Sequence, residues 1–121
     1  MKRSITVAAL LSFSTFTYAG QAVSLAELIS GNSQRIQQVK KGMPRAEVVQ
    51  VMKDYEARIP GSTVGNPYKT KTFEQGGVSY EVLYYITEQP KAGKEALTTP
   101  VIFKEGVVVG MGLETLRAIK Q

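Results

Sequence analysis

The segment "GGVSYEVLYYIT", residues 76–87, decides how this chain is built. After its two glycines, Val78, Tyr80, Val82, Tyr84 and Ile86 alternate with Ser79, Glu81, Leu83, Tyr85 and Thr87. A period of two marks a strand whose side chains point to opposite faces. Gly76-Gly77 suits a two-residue hairpin turn, which needs positive φ at both central positions, and so joins this strand to "YKTKTFEQ", Tyr68 to Gln75. Tyr80 and Tyr84 are expected to face the core and its helices. Leu83 and Tyr85 then face the other way, toward an interface or a terminal helix.

Downstream, "TPVIFKEGVVVGMG" reads as a second hairpin turning at Glu105 and Gly106. Between the hairpins, Glu88 to Thr98 has no apolar period and is expected to be a solvated loop. A short last helix is expected over Leu113 to Lys120. Upstream, "EARIPGSTVGNP", Glu56 to Pro67, is rich in turn formers and reads as a connecting loop.

The first third of the chain reads as helical. Ser24 and Glu27 form a capping box ahead of Leu28 and Ile29, and Gly31 is expected to break or bend that helix. Ile36 and Val39 continue inward, Lys40 and Lys41 complement a helix C-terminus, and Gly42 suits the left-handed residue just past it. Pro44 fits the first position of a new helix, in which Val48, Val51, Met52 and Tyr55 recur as an apolar stripe. Three valines leave a strand as the alternative there. The corner "VKKGMPR" is thus punctuation between two helices. Its cations Lys40, Lys41 and Arg45 are also the candidate patch for anionic lipid or an acidic partner.

Residues 1–19 have the layout of a cleaved secretory signal: Lys2 and Arg3, an apolar run from Ile5 to Phe16, then small residues up to Ala19. The run is shorter than a membrane span and interrupted by serines and threonines. Residues 20–121 are expected to form one domain in the periplasm. With Lys2 and Arg3 gone, the 15 basic and 10 acidic residues leave a net charge of only +3, and no basic arm suggests nucleic acid. Zero cysteines mean that no disulfide supports the fold and that the chain is no thiol-linked lipoprotein.

The composition also limits chemistry. No histidine and no cysteine are present, which removes Ser-His-Asp triads, thiol catalysis and His or Cys metal sites. No serine lies in an S-x-x-K or nucleophile-elbow setting, and Gly110-Met111-Gly112 lacks what a phosphate loop requires. Asp54, Glu56, Glu74, Glu81 and Glu88 read as solvent-facing charges. The expectation is a non-enzyme without cofactor or metal.

The pattern I-x-x-V-x-x-G-M-x-x-x-x-V-x-x-x-M, at Ile36, Val39, Gly42, Met43, Val48 and Met52, resembles the BamE-like (SmpA/OmlA) superfamily of small bacterial envelope proteins. The hairpin region from Asn66 to Gly112 is similar to an exported family of unknown function within it. Pro44 stands where that family usually has Ser or Thr. The resemblance implies an α+β fold, with two N-terminal helices packed on one face of a three- to four-stranded antiparallel sheet and room for a short C-terminal helix. It also implies a non-catalytic scaffold or assembly accessory that binds an envelope protein. The alternatives are an enzyme inhibitor presenting the Glu88 to Thr98 loop, and a binder of anionic lipid surfaces. Lys40, Lys41, Arg45, Leu83 and Tyr85 are the candidate interaction surface, and an exposed strand edge offers a route to a homodimer.

Overall fold

The computed structural model describes residues 21–89, 91 and 97–120. The expected signal peptide and most of the expected Glu88 to Thr98 loop lie outside the described residues.

The described chain opens with strand β1 (Gln21–Ser24) and continues into helix α1 (Leu25–Arg35), whose capping box forms as the sequence indicates. The Ser24 hydroxyl accepts from the Glu27 amide at 3.1 Å, and the Glu27 carboxylate accepts from the Ser24 amide at 2.9 Å. The Ser24 backbone amide, followed by the Ser24 side chain, lowers the pKa of the Glu27 carboxyl from its ordinary value. Gly31 does not break α1, which continues to Arg35, and the Arg35 guanidinium occupies the space beside the glycine, 2.5 Å from where a Cβ would sit. One 3-10 turn, Ile36–Gln38, follows, and Val39 is already extended, so Lys40 and Lys41 do not end a helix.

Helix α2 (Arg45–Met52) begins after Pro44, which is its N-cap rather than its first residue. The apolar stripe stops at Met52. Lys53 has φ 69° and ψ 159°, which turns the chain into β2 (Tyr55–Ile59) and takes Tyr55 off the helix. The segment Glu56 to Pro67, expected to be a loop, instead holds most of β2 and all of β3 (Ser62–Val64), joined through Pro60 and Gly61. Proline presets the first turn position and Gly61, at φ 75°, takes the second. β1 pairs parallel with β2, and β2 antiparallel with β3, giving a small mixed sheet.

The larger sheet is an antiparallel meander of β4 (Lys69–Gln75), β5 (Val78–Glu88), β6 (Leu97–Lys104) and β7 (Val107–Met111). Its hairpins turn at Gly76-Gly77 and Glu105-Gly106, where all four residues have positive φ. Helix α3 (Leu113–Lys120) closes the described chain.

The expected fold, two N-terminal helices on one face of a single antiparallel sheet, is therefore corrected. A strand precedes the first helix, the strands form two sheets, and three helices are present among the described residues. Helices also cover both faces of the larger sheet. On one face Leu83, Tyr85, Val101, Phe103 and Val108 pack against Val48 and Met52 of α2. On the other, Val82 and Ile102 pack under Leu116 of α3, with Phe73, Tyr80 and Tyr84 half-buried around them.

The facing expected for β5 is thus inverted relative to the first helices. Alternation fixes which residues share a face, not which helix covers it. The tyrosines with reachable hydroxyls go beneath the two turns of α3, while Leu83 and Tyr85 take the drier face. Burying each large apolar side chain there contributes about 1.5–3 kcal/mol.

Candidate functional site

The corner from Lys40 to Arg45 lies along the outer edge of β7. The Gly42 amide donates to the Val108 carbonyl at 2.9 Å, the Val108 amide to Met43 at 2.9 Å, and the Arg45 amide to Gly106 at 3.0 Å. Pro44 forms a bridge with Val107. Gly42, at φ 92°, allows the chain to turn onto that edge. The corner therefore supplies β7 with backbone partners, which the sequence reading of a junction between helices did not anticipate.

The structure does not assemble the five expected surface residues into one surface. Lys40 and Lys41 are exposed. The Arg45 Nε donates to Glu81 Oε1 at 2.7 Å, which spans from α2 to β5 and raises the Arg45 pKa further. Leu83 and Tyr85 are 0% and 1% exposed, so both are core residues rather than contact residues. Burial pushes the Tyr85 hydroxyl up to about 12, with nearby Arg45 opposing the shift.

The opposite edge of the larger sheet is built differently. β4 pairs with β5 alone among the described residues, in a regular register from Lys69–Tyr84 to Gln75–Val78. A two-residue turn with both glycines at positive φ makes Gln75–Val78 a hydrogen-bonded pair. Alternation along an antiparallel ladder then directs the backbone N–H and C=O groups of Thr70, Thr72 and Glu74 outward. These three residues are exposed. The result is an unbulged seven-residue strand whose outer edge is able to accept another strand.

Three of the remaining polar groups have structural work. Glu81 is held by Arg45, Ser24 caps α1, and the Ser33 hydroxyl donates to the Thr87 carbonyl at 2.8 Å. Asp54, Glu56, Glu74 and Glu88 are exposed, and among the described residues no group of three or more acidic, His or Cys side chains could hold a metal. No helix among the described residues is long and apolar enough to cross a membrane.

Sequence reasoning missed a buried polar cluster. Asn32 and Asn66, 0% and 7% exposed, bond to each other and to backbone carbonyls on α2 and β5. The available signal was a polar residue at position 32 on the stripe shared with Leu28, Ile29 and Ile36. No protein-family model matches the chain, and neither the curated proteins nor the solved structures provide a match.

Proposed function

We propose that this chain is a non-enzymatic binding protein of the bacterial cell envelope, a periplasmic scaffold or assembly accessory that takes up an extended segment of an envelope protein along β4. The observation that carries the reading is the difference between the two edges of the larger sheet. The β7 edge is bonded to the corner at Gly42 to Arg45, whereas β4 leaves the outward groups of Thr70, Thr72 and Glu74 to solvent among the described residues. Strand addition gains affinity from backbone bonds and specificity from alternate side chains. Export is supported by the signal-like residues 1–19, and an envelope role by the resemblance of the Gly42-Met43 corner to BamE-like proteins.

The test is recovery of the exported chain from envelope extract at low and high salt, beside Thr72→Pro. Proline at position 72 removes an outward N–H without breaking the β4–β5 ladder. A stoichiometric protein partner that survives salt and is lost with Thr72→Pro supports the reading. A partner retained unchanged by the folded Thr72→Pro chain contradicts it.

A further inference from the structure

The two faces of the larger sheet differ in charge. Register places Lys69, Lys71 and Lys104 on the face that carries Tyr84, Val82 and Tyr80, the face crossed by α3. Glu74 and Glu81 lie on the opposite face. α3 adds Arg117 and Lys120, against one carboxylate, Glu114, in its first turn. Two of these ammonium groups lie over aromatic rings of the same face, Lys69 at 5.0 Å from the Tyr84 centroid and Lys120 at 5.2 Å from Phe73. Leu113 is 52% exposed and shares the outer stripe of α3 with Arg117 and Lys120 at i, i+4 and i+7.

We infer that the α3 side of the sheet docks on an anionic lipid bilayer, with Leu113 entering the headgroup region and the five cations facing lipid phosphates. Charge complementarity and residue type select this occupant. Four of the five cations are lysines, which are depleted from the cores of protein interfaces and lack the planar fork that reads phosphate bidentately in nucleic acid. Lysines are well suited to a diffuse anionic plane, and an exposed leucine in a cationic helical stripe is how short helices seat in a membrane interface. This surface differs from the Lys40–Lys41 corner. It is also independent of strand addition, because it uses side chains on one face rather than the backbone edge of β4.

The experiment is co-sedimentation of the exported chain, recovered from the envelope after loss of its signal-like residues, with phosphatidylcholine vesicles, with and without about one-third phosphatidylglycerol. Three variants are compared: the triple reversal Lys71→Glu, Lys104→Glu and Arg117→Glu; Leu113→Glu; and Lys40→Glu with Lys41→Glu as a control. All six positions are exposed, and the N-terminal residues stay the same throughout. Binding is expected to require phosphatidylglycerol and to weaken on raising salt to about 0.5 M. At roughly fivefold per cation, the triple reversal is expected to weaken it on the order of 100-fold or more. Leu113→Glu should also weaken it, and the Lys40–Lys41 control should change it much less. Circular dichroism confirms that each variant is folded. Absence of wild-type binding to the anionic vesicles, or a folded triple reversal that binds equally well, overturns the inference. Loss of vesicle binding in the triple reversal with no change for Leu113→Glu overturns the entry of Leu113 into the headgroup region and leaves the cations as a flat electrostatic contact with the bilayer. Thr72→Pro should leave vesicle binding intact, which separates this outcome from failure of the β4 reading.

Discussion

Asn32 and Asn66 form a reciprocal amide pair in the interior: Asn32 Nδ2 donates to Asn66 Oδ1 at 2.8 Å, and Asn66 Nδ2 donates to Asn32 Oδ1 at 3.1 Å. Asn32 also donates to the Ile86 carbonyl of β5, while Asn66 donates to the Met52 and Lys53 carbonyls at the end of α2. Arg35 adds bonds to Met52 and Asn32 and lies 5.1 Å from the Tyr55 ring centroid. One polar cluster thus ties α1, α2, β5 and the segment before β4 together.

Asn32→Ala is expected to cost about 2–4 kcal/mol, since it removes the side-chain donor to the Ile86 carbonyl and to Asn66 Oδ1 and the oxygen that accepts from Asn66 and Arg35. Asn66→Ala should cost a similar amount, and the double variant clearly less than the two added together, because both singles break the same pair. Urea denaturation of the four proteins measures this. Simple additivity would show that the pair is not coupled.

Lys53 occupies a backbone region that is essentially reserved for glycine, at φ 69° and ψ 159°. Its exposed side chain has no interaction among the described contacts that glycine would forfeit. Lys53→Gly should raise the stability by about 1 kcal/mol, the relief of strain exceeding the added freedom of the unfolded chain. An unchanged or lower urea midpoint would contradict this.

Tyr85 gives the fold an alkaline limit. Its folded pKa of about 12 lies above the ordinary value of 10, so the native state holds its proton more tightly than the unfolded state does. Stability is full below pH 10 and falls between pH 10 and about 12, by about 2–3 kcal/mol. Tyr85→Phe should remove most of that slope while changing stability at neutral pH much less, as followed by denaturation at a series of pH values.

Gly110 of β7 lies against Thr115 of α3. A Cβ there would lie 2.7 Å from Thr115 Cγ2, so Gly110→Ala forces the Thr115 side chain, or α3 with it, to shift. A loss of about 1–3 kcal/mol is expected, with hydrogen exchange rising first in α3. Adding Thr115→Ser should restore part of it.

Local signals carried much of the fold. The Ser24–Glu27 capping box and the glycine positions at both hairpin turns were legible because each depends on a few adjacent residues. The small sheet was not, since β1 meets β2 in parallel from 34 positions away and no local pattern announces that pairing. The facing of β5 was illegible for a different reason: both of its alternating sets are apolar enough for a core, and a strand buried on both sides carries no marker of which helix covers which. At the site, lysines and tyrosines drew attention as side chains. The open edge at Thr70 and Thr72 is a property of the backbone, and it emerges only once the corner at Gly42 is seen on the other edge.

The most direct test of the account is site-specific photocrosslinking in intact cells, with the reactive side chain placed in turn at Thr70, Thr72, Lys41 and Thr63, all of them exposed. Strand addition along β4 predicts one discrete envelope-protein adduct from the β4 positions, little from Lys41 and Thr63, and its loss when Thr70 carries the probe beside Thr72→Pro. Equal adducts from all four positions, or none from β4, would contradict strand addition as the binding mode.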